Sequence, residues 1–167
     1  MSGIRAIRAA LLLTPYLCGL GSAQVPNQSV QWAASVIVGN AVKDGSNATL
    51  EVSAHVQAGW HVYALTQPPG GPTALRVTID ENDVARIAGV PSGTAPEKKH
   101  DPSFDLETQF YTHAFALHLP LHLASQATAG RQAIPVSVRF QTCSDRECQP
   151  PTTVHLSVPL NERPDAT

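Results

Sequence analysis

The sequence predicts an all-β protein that folds as an antiparallel β-sandwich, and three features support this prediction. Apolar residues alternate with polar or small ones over several short segments, as they do in strands with one buried face. Clusters of turn-forming residues separate these segments, and the 14 prolines suit strand edges and loops better than helices. The apolar residues show no helical period.

About seven strands are predicted, six from this alternation and residues 61–63 as a further short strand. The alternating apolar residues lie at 32–38, 50–56, 75–79, 115–123, 134–140 and 154–160. The clearest case is the segment at 115–123, where Phe115, Leu117 and Leu119 are separated by Ala116 and His118. The longest irregular stretch is expected at residues 88–108, and its mixed-charge run at 97–101 is expected to be a solvated loop.

Length and charge limit the possible functions. A chain of 167 residues, of which 43% are hydrophobic and 14% charged, suits a single core, and we expect one domain over residues 24–167. The net charge is −2, from 11 basic and 13 acidic residues without a long run of either sign. This balance argues against a nucleic-acid partner.

Residues 1–23 are predicted to be a secretory signal peptide. Arg5 and Arg8 precede a mostly apolar run at 9–20, and small residues follow at 21–23. The apolar run is short for a membrane span, so cleavage before Gln24 and export to the periplasm or beyond are expected, with an uncleaved anchor as the alternative. Cleavage would remove Cys18 and leave two cysteines in a disulfide-permissive compartment.

The remaining pair is Cys143 and Cys148. A structural zinc site needs four ligands, but there is no second close cysteine pair, and His118 and His122 would stand about 13 Å apart on one strand. No Gly-x-Ser-x-Gly motif indicates a hydrolase, and no glycine-rich loop indicates a phosphate site. We therefore expect a disulfide without metal or cofactor, and it could be structural or reactive.

Two local arguments favour a reactive disulfide over a staple. A closed loop of about six residues stabilises a fold by only about 2 kcal/mol, against almost 5 kcal/mol for about 100 residues. Since Phe140 is expected to face the core, strand parity turns Cys143 outward, where a partner thiol could reach it. Pro150 and Pro151 then stiffen the return of the chain.

Three segments resemble one protein family. Residues 140–151, FQTCSDRECQPP, resemble the active-site segment of the N-terminal periplasmic domain of the thiol:disulfide interchange protein DsbD, with its pattern aromatic-Gln-x-Cys…Cys-x-Pro-Pro. Residues 59–63, GWHVY, resemble the family's Gly-aromatic-x-x-Tyr strand, and residues 101–104, DPSF, fall where the family has its cap loop. The resemblance extends over roughly residues 28–160 and is strong in these three places.

The resemblance implies an immunoglobulin-like sandwich and a role for each site residue. Cys148 would form the mixed disulfide with a partner, Cys143 would resolve it, and Phe104 would be the cap side chain that shields the pair. Three residues would line the site: Trp60, His61 and Tyr63. His61 stands where the family often has an aromatic residue, Pro102 and Ser103 replace acidic residues, and core packing is the alternative role for Trp60 and Tyr63.

The resemblance also implies the reaction and its partners. The chain would pass reducing equivalents between periplasmic thiol–disulfide proteins of the thioredoxin-like or isomerase type, without cofactor, metal or nucleic acid. Family proteins continue into a membrane domain and a thioredoxin-like domain, whereas this sequence ends at Thr167. Electrons are therefore expected in trans, from a membrane reductase or a thioredoxin-like protein. The alternative function is a non-catalytic protein-binding module with a short structural disulfide.

Overall fold

Twelve β-strands form the described part of the chain in this computed structural model, which covers residues 29–38, 48–124, 127 and 132–160. The strands are β1 Val30–Val38, β2 Ala48–Val56, β3 Trp60–Tyr63, β4 Arg76–Ile79, β5 Ala85–Ile87, β6 Ser92–Gly93, β7 Glu97–Asp101, β8 Leu106–Tyr111, β9 Phe115–Leu123, β10 Ala133–Phe140, β11 Thr142–Ser144 and β12 Thr152–Pro159. No helix that could cross a membrane occurs within these ranges. The predicted signal peptide lies outside them.

The strands pair into three antiparallel sheets. One has the order β1-β2-β9-β5, with β6 also paired to β9; the second has the order β12-β10-β4; the third has the order β11-β3-β8-β7. The prediction of an all-β, immunoglobulin-like antiparallel sandwich is confirmed. All seven predicted strands are present, as β1, β2, β3, β4, β9, β10 and β12.

The main core lies between the first two sheets and uses the predicted alternation. Leu50 and Val52 of β2 pair with Leu119 and Leu117 of β9, and all four side chains are buried. Val138 of β10 contributes to the same core from the second sheet. Full burial of such a side chain stabilises the fold by about 1.5–3 kcal/mol, so this face sets the strand register.

The region at 88–108 is not irregular, and this expectation was wrong. It contains β6, β7 and the start of β8, and β7 pairs with β8 along its whole length, from Glu97 opposite Phe110 to Asp101 opposite Leu106. The run at 97–101 is therefore an edge strand and not a loop, although its first four residues are exposed. Backbone hydrogen bonds hold an edge strand without apolar side chains, so its sequence carries no alternation.

Candidate thiol–disulfide site

The chain changes sheets at Gln141. Strand β10 ends at Phe140 in the second sheet, and β11 begins at Thr142 beside β3 in the third sheet, so Gln141 is the one residue between them. The backbone carbonyl of Gln141 accepts a hydrogen bond from the N–H of Tyr63 at 3.2 Å, and its Oε1 accepts one from the N–H of Thr73 at 2.8 Å. Gln141 thus fixes the position at which β11 enters the site. The sequence showed this residue only as part of a motif.

A disulfide joins Cys143 and Cys148, whose Cα atoms are 4.0 Å apart. The four residues between them form a turn that is closed by its own hydrogen bonds. The N–H of Ser144 donates to the carbonyl of Glu147 at 2.8 Å, and Oγ of Ser144 accepts from the N–H groups of Arg146 and Glu147 at 3.2 Å each. Such a turn holds the two sulfur-bearing residues side by side.

Gln149 anchors the exit of the disulfide loop. Its N–H donates to the carbonyl of Thr142 at 2.9 Å, which ties the residue after the second cysteine to the residue before the first. Its Oε1 accepts hydrogen bonds from the hydroxyls of Thr142 and Ser29 at 3.1 and 3.2 Å. Both ends of the loop are therefore fixed to strands, and sequence reasoning had assigned no role to Gln149.

The two cysteines differ in exposure. Cys148 is exposed, whereas Cys143 is only 1% exposed. The expectation of an outward, accessible Cys143 was wrong about access but right about direction. The side chain leaves the main core and enters a second cluster with Tyr63 and Phe110, against which Phe104 packs. Strand parity cannot show that a distant hairpin covers the outer face.

The site lies on the outer face of the third sheet. His61 is the cross-strand partner of Cys143, and Tyr63 is the partner of Phe110, so these four side chains share one face. The ring centroids of His61 lie 4.9 Å from Tyr63 and 5.0 Å from Phe110, and that of Phe104 lies 5.9 Å from Tyr63. The structure thus brings three of the four predicted lining and cap residues together around Cys143.

Trp60 is the fourth, and its main packing is elsewhere. It is next to His61 in β3, so it points to the opposite face, and it packs against the main core. It also borders a cavity of about 700 Å³ beside the disulfide loop. Other residues around this cavity include His61, Lys99, Asp101, Phe110 and Asp145. In the described ranges, no three His, Cys, Asp or Glu side chains are grouped to hold a metal ion.

Asp101 holds the turn that carries Phe104. Its Oδ2 accepts a 2.6 Å hydrogen bond from the hydroxyl of Tyr63, and its Oδ1 accepts one from the N–H of Ser103 at 2.8 Å. The backbone carbonyl of Asp101 also accepts a hydrogen bond from the N–H of Phe104 at 3.3 Å. Asp105 completes the turn with a φ of 53°. Asp101, which the sequence indicated only as part of the segment at 101–104, therefore links the cap turn to Tyr63 of β3.

Burial shifts two pKa values in the site. Burial of the Tyr63 hydroxyl, together with its hydrogen bond to Asp101 and the charge of that carboxylate, raises the tyrosine pKa far above its usual value. Burial lowers the pKa of His61, and Lys99 acts in the same direction, while the carboxylates of Asp101 and Asp145 oppose the shift. The site therefore favours a protonated tyrosine and a neutral imidazole at neutral pH.

A Ser–His–Asp group on the second sheet does not have the arrangement of a hydrolase. The hydroxyl of Ser137 donates to Asp80 at 2.7 Å, and Nδ1 of His155 lies 2.8 Å from the same hydroxyl oxygen. In a catalytic triad the histidine lies between the carboxylate and the serine, whereas here the serine lies between the other two. The group instead connects β10 to its neighbour β12 and to the residue that follows β4.

Replacing Tyr63 with phenylalanine should destabilise the oxidised protein by about 1–3 kcal/mol, because the buried Asp101 carboxylate would lose a hydrogen-bond donor. Urea unfolding at pH 7 measures this loss. The raised pKa adds a pH dependence. Above about pH 10 the unfolded chain loses the tyrosine proton first, so wild-type stability falls as the pH rises, and the variant should lose less.

Tyr111→Phe is the matched control. Tyr111 is also buried, but it stacks on Phe115 with ring centroids 4.0 Å apart and makes no hydrogen bond to Asp101. Its loss of stability should be smaller than that of Tyr63→Phe. Equal unfolding free energies for the Tyr63 variant and the wild type would show that the link to Asp101 contributes nothing to stability.

Comparison with known families decides where the chain belongs. The sequence model described as "Thiol:disulfide interchange protein DsbD, N-terminal" matches residues 30–159. The chain belongs to this family. The match includes the cap turn, β3 and the disulfide loop, and it confirms the resemblance identified from three short segments. A comparison with curated proteins gave no match.

Solved structures of DsbD N-terminal domains and of a related domain are similar to the chain. The N-terminal periplasmic domain of ScsB from Proteus mirabilis is 19% identical, with a TM-score of 0.53 over 82% of this chain and 48% of that one. The reduced DsbD N-terminal domain of Neisseria meningitidis is 20% identical, with a TM-score of 0.49 over 73% and 82%. The same domain in complex with the PilB N-terminal domain is 17% identical, with a TM-score of 0.49 over 81% and 87%. The ScsB likeness supports the fold.

Proposed function

We propose that this protein is a periplasmic thiol–disulfide exchange protein that passes reducing equivalents to partner proteins through Cys143 and Cys148. Family membership supports the chemistry, since the family is named for thiol:disulfide interchange. The signal peptide predicted at residues 1–23 and the periplasmic origin of the ScsB domain support the compartment. Thioredoxin-like or isomerase-type periplasmic proteins are the proposed partners.

The observation that carries this proposal is the unequal exposure of the two cysteine residues. Exchange begins when a thiolate attacks a disulfide sulfur in line, so the attacking cysteine must be accessible. Cys148 is exposed at the end of the turn, and Cys143 is buried beside it. Cys148 is therefore the attacking residue, and Cys143 is held where only a sulfur attached to Cys148 can reach it.

The reaction has two steps. In the reduced protein the Cys148 thiolate attacks one sulfur of a partner disulfide, the partner's S–S bond breaks, and its other sulfur leaves as a thiolate that takes up a proton. Cys143, as a thiolate, then attacks the Cys148 sulfur and releases the second partner sulfur as a thiol. Two electrons pass to the partner, and the disulfide between Cys143 and Cys148 re-forms.

A Cys143→Ala variant should accumulate mixed disulfides with partner proteins, because the resolving thiol is absent. The variant would be exported in a bacterial host, its thiols would be blocked with acid and alkylating agent, and captured proteins would be identified by mass spectrometry after non-reducing electrophoresis. Cys143→Ala/Cys148→Ala is the matched control, and it should capture none. A Cys143→Ala variant that captures no thiol protein would contradict the proposed function.

The reduction potential of the pair separates this function from that of a binding module with an inert disulfide. Equilibration of the protein with glutathione redox buffers should give a value within the range of periplasmic exchange proteins. A potential well below about −300 mV would indicate a structural disulfide, and the binding-module alternative would then be favoured.

A further inference from the structure

The histidine beside the resolving cysteine has no function in the mechanism so far. His61 of β3 and Cys143 of β11 are directly opposite in an antiparallel pair. Side chains in such pairs share a face, with Cβ atoms about 4.5–5.5 Å apart. The Nε2 atom of His61 is buried and has no hydrogen-bond partner among the described residues. A buried ring nitrogen without a partner is costly, so its retention requires an explanation.

We infer that His61 is the proton acceptor for Cys143 in the resolving step, a proposal that rests on the exchange function proposed above. In the tautomer that carries its proton on Nδ1, His61 offers a free lone pair on Nε2. The Sγ–H of Cys143 gives its proton to Nε2, and the resulting thiolate attacks the Cys148 sulfur of the mixed disulfide. The S–S bond to the partner breaks, and the departing partner thiolate takes the proton from His61.

The surroundings of His61 suit this role. Its ring packs against Tyr63 and Phe110, and its Nε2 atom is buried. Burial favours the neutral imidazole, and the neutral form is the one that can accept a proton. After protonation, the imidazolium would face two carboxylates, Asp101 and Asp145.

The other groups around His61 do not offer the same chemistry. Lys99 is the cation that acts on the ring, and it favours the neutral form. The hydroxyl of Tyr63 donates a hydrogen bond to Asp101 and keeps its proton because its pKa is raised, so this tyrosine does not accept a proton from a thiol at neutral pH. Three further histidines line the same cavity: His55, His100 and His113. None of these three is paired with Cys143 across β3 and β11.

The need for an acceptor follows from the burial of Cys143. A cysteine thiol has an ordinary pKa of about 8.5, so only about 3% is thiolate at pH 7. Burial disfavours a charged group in general, so it does not help a thiol to ionise. Hydroxide and buffer bases reach a side chain that is 1% exposed poorly, whereas His61 is already beside it.

The test separates the two steps with one molar equivalent of dithiodipyridine added to the reduced full-length protein in a Cys18→Ala background. Attack by Cys148 releases one thiopyridone, and ring closure by Cys143 releases a second, so absorbance records two phases. In His61→Phe the second phase should slow by at least about 30-fold relative to the first phase at pH 7. This factor is the inverse of the thiolate fraction of an ordinary thiol, because the variant depends on the thiol that ionises by itself. The difference in second-phase rate between wild type and His61→Phe should become smaller above about pH 8.5, where the thiol ionises without an acceptor.

The wild-type second phase should persist below pH 6.5 and decline only as His61 is protonated, because its pKa is lowered. His61→Gln, which keeps a polar side chain but cannot take up the proton, should behave like His61→Phe and serves if that variant does not fold. His122→Phe, on β9 outside the cavity, is the control and should keep the wild-type profile.

Each outcome is decisive. A wild-type pH profile in His61→Phe and His61→Gln would overturn the inference, and so would a slowing by the same factor at every pH, which indicates a packing role only. A wild-type protein that shows no second phase would instead overturn the exchange function itself. The failure of the inference and the failure of the proposed function therefore give different absorbance time courses.

Discussion

Replacing Cys148 with serine should reduce the reaction of the native, reduced protein with a soluble disulfide by about 100-fold or more, whereas Cys143→Ser should leave one fast-reacting thiol. The reason is access, since Cys143 is 1% exposed and must open to react, while Cys148 is already exposed. An opening free energy of about 2.7 kcal/mol corresponds to this factor. Stopped-flow absorbance with dithiodipyridine measures both rates.

Both variants carry Cys18→Ala, so that each has a single thiol. The control is the same reaction in denaturant, where the two thiols should react at similar rates because the protection is removed. Equal rates in the native state would contradict the division between an attacking and a resolving cysteine. They would also remove the observation on which the proposed function rests.

Phe104→Ala, added to the Cys148→Ser protein, should increase the reaction rate of Cys143 by about tenfold or more. Phe104 packs against the cluster that contains Cys143 and contacts Tyr63 edge to face. Such an aromatic contact contributes about 0.5–1.5 kcal/mol beyond the apolar area that it buries, and 1.4 kcal/mol corresponds to tenfold in an opening equilibrium. The same change with both cysteines present should accelerate oxidation by non-specific oxidants.

Val90→Ala is the control for the cap, because Val90 is 85% exposed and lies outside the Cys143 cluster. It should leave the protection of Cys143 unchanged. Urea unfolding of each variant distinguishes local opening of the cap from loss of global stability. An unchanged Cys143 rate in Phe104→Ala would exclude Phe104 as the cap residue.

The identity of the site was evident in the sequence because it depends on local residues. The pattern around Cys143 and Cys148, together with the segments at 59–63 and 101–104, was enough to name the family, and the family match confirms it. The roles assigned to Phe104, His61 and Tyr63 remain predictions. The structure brings these three residues around one buried sulfur, as those roles require.

Each error concerns a feature that leaves no pattern of alternating apolar residues in the sequence. Strand parity gave the correct direction for Cys143, but burial depends on the β7–β8 hairpin, which is more than 30 residues away in the sequence. The hairpin was missed because β7 is held at a sheet edge by backbone hydrogen bonds and is mostly charged. Asp101 was missed because its partner, Tyr63, lies 38 residues earlier.

By itself the sequence determined the all-β class, the six alternating strands and the cysteine pair, because period-two burial and a short motif are properties of neighbouring residues. Only the tertiary structure decided that Cys148 is exposed while Cys143 is buried, and that His61 lies opposite Cys143. Those facts depend on strand order and register between distant segments, which are set by the packing of the whole fold. The cysteine motif is thus a local property, whereas the unequal exposure of the two cysteines is a tertiary one.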